Sequence, residues 1–370
     1  MTRSLRILQI NSGGGWSGGQ YHVLLLSKGL RERGHHNVVV CPPGSALAER
    51  ASNEGLNVEP LEMRGQWDLS AVRQLRRILK RHRIELINSH KPLPHTIALW
   101  ARGWGGSPRL VATRHVTFPL RRHLFRTLKW VHGVDGWIAA SEAVMASLVA
   151  SGVPADRIAV IYAPLDAGRF RRGIPGDSIR KEFGIPADAP VIGQVGDLRP
   201  WKGYSDFIRA AALVLQARPE AHFLAVGRKN EFYGELSRLA GQLGLSGRLH
   251  FTDFRPDVEI CYAAMTICVS ASTEGEAAPY ALKEPLAMGI PVVATRVGGS
   301  HEVVTDGVTG LLIPPCDPPA LAKAVLQLLD RPELRRTMGQ NGERWVRERF
   351  SIETTVSRTE ALYQRLVRDQ

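Results

Sequence analysis

Residues 270–299 read SASTEGEAAPYALKEPLAMGIPVVATRVGG. One short apolar run, Thr266–Ser270, leads into this stretch, and a second, Pro291–Thr295, lies near its end. Two acids, Glu276 and Glu284, flank seven residues, the first on the predicted loop after a strand and the second in the predicted helix that follows. Because ligands of open α/β sheets bind at the carboxyl ends of the strands, we expect both carboxylates at that edge.

The same alternation of apolar runs and helical patterns extends over the whole chain, which is typical of parallel sheets with crossover helices. The fold class is therefore α/β. The strands predicted in the first half are Leu5–Ile10, Val38–Cys41, Ile84–Asn88, Arg109–Thr113, Gly136–Ala140 and Arg157–Ile161. Those predicted in the second half are Pro190–Val195, His222–Val226, Arg248–Phe251, Thr266–Ser270, Pro291–Thr295 and Gly310–Ile313.

A polar stretch containing Gly and Pro, from about 166 to 189, interrupts this rhythm and is interpreted as a linker. We expect a first domain over 1–170 and a second over 185–349, with a cleft between them. From about Pro332 the pattern is helical to the end, and a helix over about 350–370 is expected to pack back onto the first domain.

Charge is distributed unevenly. Of the net +13, residues 1–170 carry 23 Lys+Arg against 11 Asp+Glu, a net of +12, and residues 171–370 carry 25 against 24, a net of +1. The positive electrostatic field of the first 170 residues attracts anionic partners. Two predicted basic helices carry it, one over 73–83 and one over 121–131 that also holds aromatic residues, as interfacial helices do. We expect peripheral association with an anionic membrane and no nucleic acid, because no reading motif occurs.

No stretch approaches the roughly 20 apolar residues that span a bilayer. No secretory signal is recognisable at the start of the chain, so the expected location is the cytoplasm or the inner face of the cytoplasmic membrane. The four cysteines show no zinc-binding spacing and are interpreted as reduced core thiols.

A glycine-rich loop, residues 11–20, follows the first predicted strand, where Gly15, Gly18 and Gly19 allow a phosphate to approach the start of the next helix. Its G-x-G-x-x-G pattern leaves open an NAD-dependent oxidoreductase. NAD-dependent oxidoreductases of this type need an acidic residue at the end of the second strand to bind the ribose hydroxyls. The second strand here ends in Cys41-Pro42-Pro43, which argues against it.

The segment 270–299 resembles the retaining GT-B glycosyltransferases of the group 1 and glycogen synthase type, in its E-x7-E pair, the PVVA strand and the Gly298-Gly299 turn. The resemblance covers nearly all of the chain and is strongest over 191–317. It implies the GT-B architecture, two Rossmann-like domains with parallel sheets facing across a cleft. The first domain would hold the acceptor, and the second would bind the nucleotide-sugar.

The resemblance also implies the activity. A hexose-type sugar would pass, with retention, from a UDP, GDP or ADP donor to a glycan or lipid-linked acceptor, in lipopolysaccharide or other cell-envelope biosynthesis. No cofactor and no metal are expected, and the chain contains no D-x-D triplet. A nucleotide-sugar epimerase of the same architecture is the nearest alternative.

Carried over residue by residue, the resemblance assigns the ribose to Glu284, the transferred sugar to Glu276 and the diphosphate to Lys202. Glu274 is a rival for the role of Glu276 but lacks the spacing to Glu284. Asp197 stands where the family commonly has an arginine, and Arg199 is expected to substitute for it. The other expected contacts are Ala278, Pro279 and Tyr280 for the diphosphate, Gly227, Asp253 and Phe254 around the base, and His115 beside the donor sugar.

Overall fold

The computed structural model describes residues 3–104, 106–118, 120 and 128–368. The chain divides into two compact units. The first comprises residues 1–164 and 350–370, and the second comprises residues 165–349. The stretch 166–189, predicted as a linker, belongs to the second unit: Arg180 there donates hydrogen bonds to the carbonyls of Ala189 and Ala264 at 2.9 and 3.0 Å.

The first unit contains a parallel sheet of seven strands, ordered β3-β2-β1-β4-β5-β6-β7. The strands are Arg6–Ile10 (β1), His36–Cys41 (β2), Asn57–Pro60 (β3), Leu86–Ser89 (β4), Arg109–Arg114 (β5), Gly136–Ala139 (β6) and Ile158–Val160 (β7). The helices are Gly18–Glu32 (α1), Ala46–Asn53 (α2), Leu69–His82 (α3), Pro92–Arg102 (α4) and Glu142–Ala150 (α5), with a π turn at Leu128–His132 and a 3-10 turn at Ala155–Arg157.

Helix α3 of this unit has a defined residue at each end. Asp68 accepts a hydrogen bond from the amide of Ala71 at 3.0 Å and so caps α3, and Arg83, with φ of 50°, ends it. Because β1 pairs with both β2 and β4, the order of the sheet reverses beside β1. The loops after β1, β4 and β5 therefore leave the same edge of the sheet side by side.

The second unit contains a parallel sheet of six strands, ordered β10-β9-β8-β11-β12-β13. The strands are Val191–Val195 (β8), His222–Val226 (β9), Leu249–Asp253 (β10), Ile267–Ser270 (β11), Val292–Thr295 (β12) and Gly310–Ile313 (β13). The helices are Asp177–Glu182 (α6), Tyr204–Ala217 (α7), Tyr233–Gln242 (α8), Val258–Ala263 (α9), Tyr280–Ala287 (α10), Ser300–Val303 (α11), Pro318–Asp330 (α12) and Pro332–Arg349 (α13).

A last helix, Ile352–Arg368 (α14), returns to the first unit. Its Val356, Tyr363 and Val367 are buried in one core with residues of β1, α1 and β4. Thr355 also donates a hydrogen bond to the carbonyl of Tyr162 at 2.9 Å.

The predicted α/β class with two Rossmann-like units of parallel strands is confirmed. The prediction omitted β3, a strand of four residues at the sheet edge whose residues are only partly buried or exposed. It also expected all four cysteines in the core, but Cys316 is exposed. The basic segment around Arg121, Arg122 and Arg126 lies outside the described residues. Among those that are described, no helix combines the length and the apolar character needed to cross a bilayer.

Candidate active site

Two loops of the second unit are joined at the carboxyl ends of β8 and β11, which are neighbours in the sheet. The side chain of Gln194 bridges them, since its amide donates to the carbonyl of Lys202 at 2.8 Å and its oxygen accepts from the amide of Ala271 at 3.2 Å. The amide of Thr273 donates to the carbonyl of Trp201 at 2.8 Å. The turn that carries Lys202 is therefore held against the loop that carries Glu276.

Gly203 makes this approach possible. It has a φ of +66°, and a Cβ at this position would lie 1.9 Å from the carbonyl oxygen of Ala271. Only glycine accommodates both the backbone angle and the contact. The backbone angle and the contact with Ala271 thus explain why a glycine follows Lys202, which the sequence pattern alone did not explain.

Lys202 and Glu276 form an ion pair across the two loops. The Lys202 Nζ lies 2.6 Å from Oε1 of Glu276, and the Ser272 hydroxyl donates to the same oxygen at 2.6 Å. Glu276 is buried, and the Lys202 ammonium also lies 4.4 Å from the centre of the Trp201 ring. Two of the predicted site residues, 74 positions apart in the sequence, are brought into direct contact.

The Gly-Gly turn after β12 supports the backbone of Glu276. A Cβ on Gly298 would lie 1.9 Å from the carbonyl oxygen of Glu276, and one on Gly299 would lie 1.7 Å from that of Ala277. The amide of Gly299 donates to the carbonyl of Glu276 at 3.1 Å. This packing gives a physical reason for two consecutive glycines at these positions.

Glu284 lies in α10, as predicted, and is buried. Tyr262 donates its hydroxyl to Oε2 of Glu284 at 2.9 Å. Burial raises the pKa of Glu284 to about 7, against the opposing effects of Tyr262, Arg169 and Lys283. Burial likewise lowers the pKa of Lys283 to about 7. The carboxyl group therefore changes charge near neutral pH.

The start of α10 is formed by Ala278, Pro279 and Tyr280, which the sequence predicts as diphosphate contacts. Pro279 is the N-cap residue and provides no side-chain cap. The first amides of a helix without such a cap, together with the helix dipole, favour an anion. The ammonium of Lys283, one turn later, lies 4.1 Å from the centre of the Tyr280 ring.

The predicted base-binding residues lie at the ends of β9 and β10. A Cβ on Gly227 would lie 1.9 Å from the carbonyl oxygen of Gly196, so the backbones meet closely there. The Asp253 carboxylate accepts hydrogen bonds from the amides of Lys229 and Phe254 at 2.9 and 2.7 Å, which hold its pKa below its usual value. Asp253 thus shapes the loop, and the Phe254 ring beside it is exposed.

Arg199, expected to replace the arginine missing at Asp197, is half-exposed and lies 3.5 Å from Glu231. No contact among the described residues links its side chain to Lys202 or Glu276. Its role at the diphosphate stays a prediction.

Replacing Gly203 with alanine should destabilise the second unit. The residue would have to adopt a positive φ, which costs about 1–2 kcal/mol, and would clash with the Ala271 carbonyl. Gly244→Ala is the matched control, because its φ of +72° is similar and nothing lies within 4 Å of the added Cβ. Thermal unfolding should show a larger drop in Tm for Gly203→Ala than for Gly244→Ala. Equal drops in Tm would contradict this expectation, because they would mean that the contact with the Ala271 carbonyl adds nothing to the cost of the substitution.

A second cluster, which includes the predicted His115, lies in the first unit, where β4 and β5 end. His90 Nε2 lies 2.8 Å from Oε1 of Gln9, and His90 Nδ1 lies 3.4 Å from Nε2 of His115. Donation from His90 to Gln9 leaves Nδ1 to accept from His115, so Gln9 fixes the tautomer of both rings. Burial lowers the pKa of His90 well below its ordinary value, which keeps this ring neutral.

His22 of α1 joins this histidine cluster, and the sequence analysis did not identify it. One ring nitrogen from each of His22, His90 and His115 lies within 4.8 Å of the others, a group that could hold a metal ion. His22 lies in an apolar helix interior, so the hydrophobic pattern gave no signal for it. The hydroxyl of Tyr363 from α14 contacts both Gln9 and Asn88, at 3.5 and 2.7 Å, behind the cluster.

The glycine-rich loop ends beside the same cluster. A Cβ on Gly19 would lie 4.0 Å from the His115 ring, and one on Gly13 would lie 2.6 Å from the Lys91 ammonium. Gly15 and Gly18 are exposed. The loop, Lys91 and the histidine cluster therefore form one polar edge of the first unit, and burial lowers the pKa of Lys91.

Two family models match consecutive parts of the chain. The model of glycosyltransferase family 4 matches residues 16–169, and that of the glycosyl transferases group 1 matches residues 176–345. Together they span most of both units and include Lys202, Glu276 and Glu284.

Curated relatives support the same family. The chain is 25% identical over 326 residues to the N-acetyl-alpha-D-glucosaminyl L-malate synthase of Bacillus anthracis, covering 82% of this chain and 80% of the relative. It is 34% identical over 220 residues to the D-inositol 3-phosphate glycosyltransferase of Corynebacterium efficiens, covering 56% of this chain and 51% of the relative. The chain thus spans about half the length of the latter relative.

Solved structures share the fold. The Anabaena protein HepE in complex with UDP superposes with a TM-score of 0.85 at 23% identity, covering 96% of this chain and 98% of that one. A glycosyltransferase from Rickettsia africae superposes with a TM-score of 0.88 at 19% identity, covering 99% and 100%. With two parallel-sheet Rossmann-like units and matches to both family models, the chain belongs to the group 1 glycosyltransferases of GT-B fold.

Proposed function

We propose that this protein is a retaining glycosyltransferase that moves a hexose from a nucleotide diphosphate donor to a glycan or lipid-linked acceptor at the cytoplasmic face of the membrane, in cell-envelope polysaccharide biosynthesis. The observation that carries the proposal is the Lys202–Glu276 ion pair at the carboxyl ends of β8 and β11. Lys202 would supply a cation for the diphosphate and Glu276 a carboxylate for a sugar hydroxyl, and α10, which begins a few residues after Glu276, has no side-chain cap at its start.

Each residue then has a distinct task. Lys202 and the amides at the start of α10 stabilise the charge that develops on the departing diphosphate. The contacts of Glu276 with Lys202 and Ser272 both fall on Oε1, so we assign Oε2 to a hydroxyl of the transferred sugar. Glu284 accepts hydrogen bonds from the ribose hydroxyls. The leaving phosphate accepts the proton of the acceptor hydroxyl.

The donor is expected to be a nucleotide sugar of the UDP, GDP or ADP type. Names of similar proteins support this range, since HepE is described in complex with UDP-glucose and a Corynebacterium glutamicum relative is a GDP-mannose-dependent mannosyltransferase. A thermal-shift panel of the three nucleotide diphosphates and their sugars tests the assignment. Stabilisation by NAD alone would contradict it and favour an oxidoreductase.

The acceptor and the reaction can be tested together. The preferred donor is incubated with a membrane lipid extract, with malate and with inositol 3-phosphate, the last two taken from the names of the relatives. Acceptor-dependent nucleotide release with an anomerically retained product in the lipid fraction supports the proposal. Conversion of the donor sugar without any acceptor would instead identify an epimerase, and transfer to a small acid alone would contradict the envelope role.

Donor affinity should depend on pH through Glu284. Because burial raises the pKa of Glu284 to about 7 and only the carboxylate accepts two ribose hydrogen bonds, binding must displace a proton below that pH. UDP affinity should be constant above about pH 8 and fall up to tenfold per unit below pH 7. Calorimetric titrations at several pH values measure this.

Glu284→Gln is the control for that pH dependence, because it keeps the size of the side chain and removes its titration. Comparing the two proteins cancels the titration of the nucleotide phosphate itself. A slope that is unchanged in Glu284→Gln would assign the pH dependence to a group other than Glu284.

A further inference from the structure

Three exposed tryptophans lie in the first unit, two of them in contact and the third four residues after one of that pair. Trp67 is 77%, Trp104 is 52% and Trp100 is 37% exposed, and each of the other tryptophans of the chain, all among the described residues, is buried or half-buried. The Trp67 and Trp100 rings contact each other, with their centres 5.6 Å apart. Exposing this much indole to water is unfavourable, which indicates a surface that meets a partner.

Basic residues form a stripe along α3 next to these tryptophans. One face of the helix, with Val72, Leu75 and Ile78, is buried against the sheet. The opposite face is exposed and, following the helical period, consists of Leu69, Arg73, Arg76, Arg77 and Lys80. Helix α3 contains no acidic residue.

Arg76 joins the stripe to the tryptophans. Its guanidinium donates hydrogen bonds to the carbonyls of Trp100 and Ala101, at 2.9 and 3.0 Å, at the end of α4. The basic face of α3 therefore lies directly beside Trp100. We call this region the tryptophan–arginine surface, and it comprises Trp67, Leu69, Arg73, Arg76, Arg77, Lys80, Trp100 and Trp104.

The charge on this surface is not neutralised by the protein. Arg81 pairs with Glu59 at the end of the helix, but Arg73, Arg77 and Lys80 form no ion pair with any described residue. Arg73, Arg77 and Lys80 are three of the five lysines and arginines of α3. A partner that covers this surface must supply negative charge over a wide area and accept indole rings at the same time.

We propose that the tryptophan–arginine surface docks onto an anionic phospholipid bilayer. Lipid phosphates match the stripe of cations, each of which contributes about 1 kcal/mol near such a surface. Tryptophan rings prefer the depth of the headgroups, where one edge is apolar and the indole N–H is hydrated. Tryptophan and arginine are also enriched in protein–protein interfaces, so an acidic soluble protein is the alternative that the vesicle experiment below distinguishes.

This inference rests on the proposed function in one respect: docking would bring the first unit to the membrane that holds a lipid-linked acceptor. Binding itself requires neither donor nor catalysis. It can therefore be measured separately, and a failure of one proposal can be told apart from a failure of the other.

The test is co-sedimentation of the full chain with vesicles of phosphatidylcholine alone and of phosphatidylcholine containing phosphatidylglycerol. We expect binding only to the anionic vesicles. Arg73→Glu/Arg77→Glu should weaken it by roughly tenfold or more, since two cations near the surface are replaced by anions. Trp67→Ala/Trp104→Ala should weaken it as well, at unchanged net charge.

Arg209→Glu/Arg238→Glu is the charge-matched control, because both arginines are exposed on helices of the second unit. It should bind vesicles like the unchanged chain. All variants should keep their Tm and their transfer to a detergent-dispersed acceptor, which separates docking from folding and catalysis.

Three results would overturn the proposal. The first is equal binding to both kinds of vesicle. The second is that the control pair weakens binding as much as Arg73→Glu/Arg77→Glu does. The third is loss of binding in the arginine variant but not in the tryptophan variant. The last result would indicate a purely electrostatic partner such as an acidic protein. A concentration-dependent dimer that only the surface variants lose would identify a second copy of the chain instead.

Discussion

Replacing Glu276 with glutamine is expected to lower kcat of sugar transfer by roughly two to three orders of magnitude, as removal of a preorganised charge at a reacting centre generally does. Glutamine keeps the shape of the side chain, so the loop and its contact with Ser272 should persist. The charge that faces the sugar is lost, and the ammonium of Lys202 loses the carboxylate 2.6 Å away. UDP affinity should change much less than kcat.

Glu274→Gln is the control, because Glu274 lies in the same loop, two residues away, and is exposed. Steady-state kinetics with saturating donor should show nearly normal transfer in this variant. If Glu274→Gln were instead the slow enzyme, the assignment by spacing would be wrong and the rival carboxylate would be the one at the sugar. Thermal unfolding of both variants shows whether either loss reflects misfolding.

Most of the architecture could be predicted because its signals are local. The buried strands of both sheets appear as short apolar runs, and His222–Val226 and Gly310–Ile313 begin and end where the sequence predicts. Strand β3 was missed because its sequence, Asn-Val-Glu-Pro, holds a single apolar residue apart from proline. Burial on both faces of a parallel strand produces the signal, and an edge strand lacks it.

The individual residues of the site could be predicted from the sequence, but the ion pair between Lys202 and Glu276 could not. The resemblance identified Lys202, Glu276 and Glu284 singly, whereas the ion pair depends on two loops being held together by Gln194, Gly203 and Thr273. These residues show no chemical pattern of their own. The same reason explains His22 and Tyr363, whose contacts with the histidine cluster arise from distant parts of the chain meeting in space.

Lys202→Met is the second variant with a large expected effect. The ammonium is assigned to the donor diphosphate, and a hydrogen bond to a charged group contributes about 1.5–3 kcal/mol, so UDP affinity should fall by roughly ten- to a hundredfold. Methionine retains most of the apolar stem that packs beside Trp201. Calorimetric titration with UDP measures the change, and the KM for the donor should rise with it.

Lys323→Met is the matched control, because Lys323 is an exposed lysine within α12 of the same unit. UDP affinity within about twofold of normal in Lys202→Met would contradict the role of Lys202 at the diphosphate.

The double variant Lys202→Met/Glu276→Gln separates two explanations of the same loss. Residues in contact normally show a coupling energy of 0.5–3 kcal/mol in such a cycle. If Lys202 acts on the diphosphate directly, the double variant should bind UDP as weakly as Lys202→Met alone. If its main task is instead to hold Glu276 in place, the two substitutions should give equal losses of kcat, singly and together, with UDP affinity intact. The distance of 2.6 Å between the two groups makes both outcomes possible, and the UDP titration decides between them.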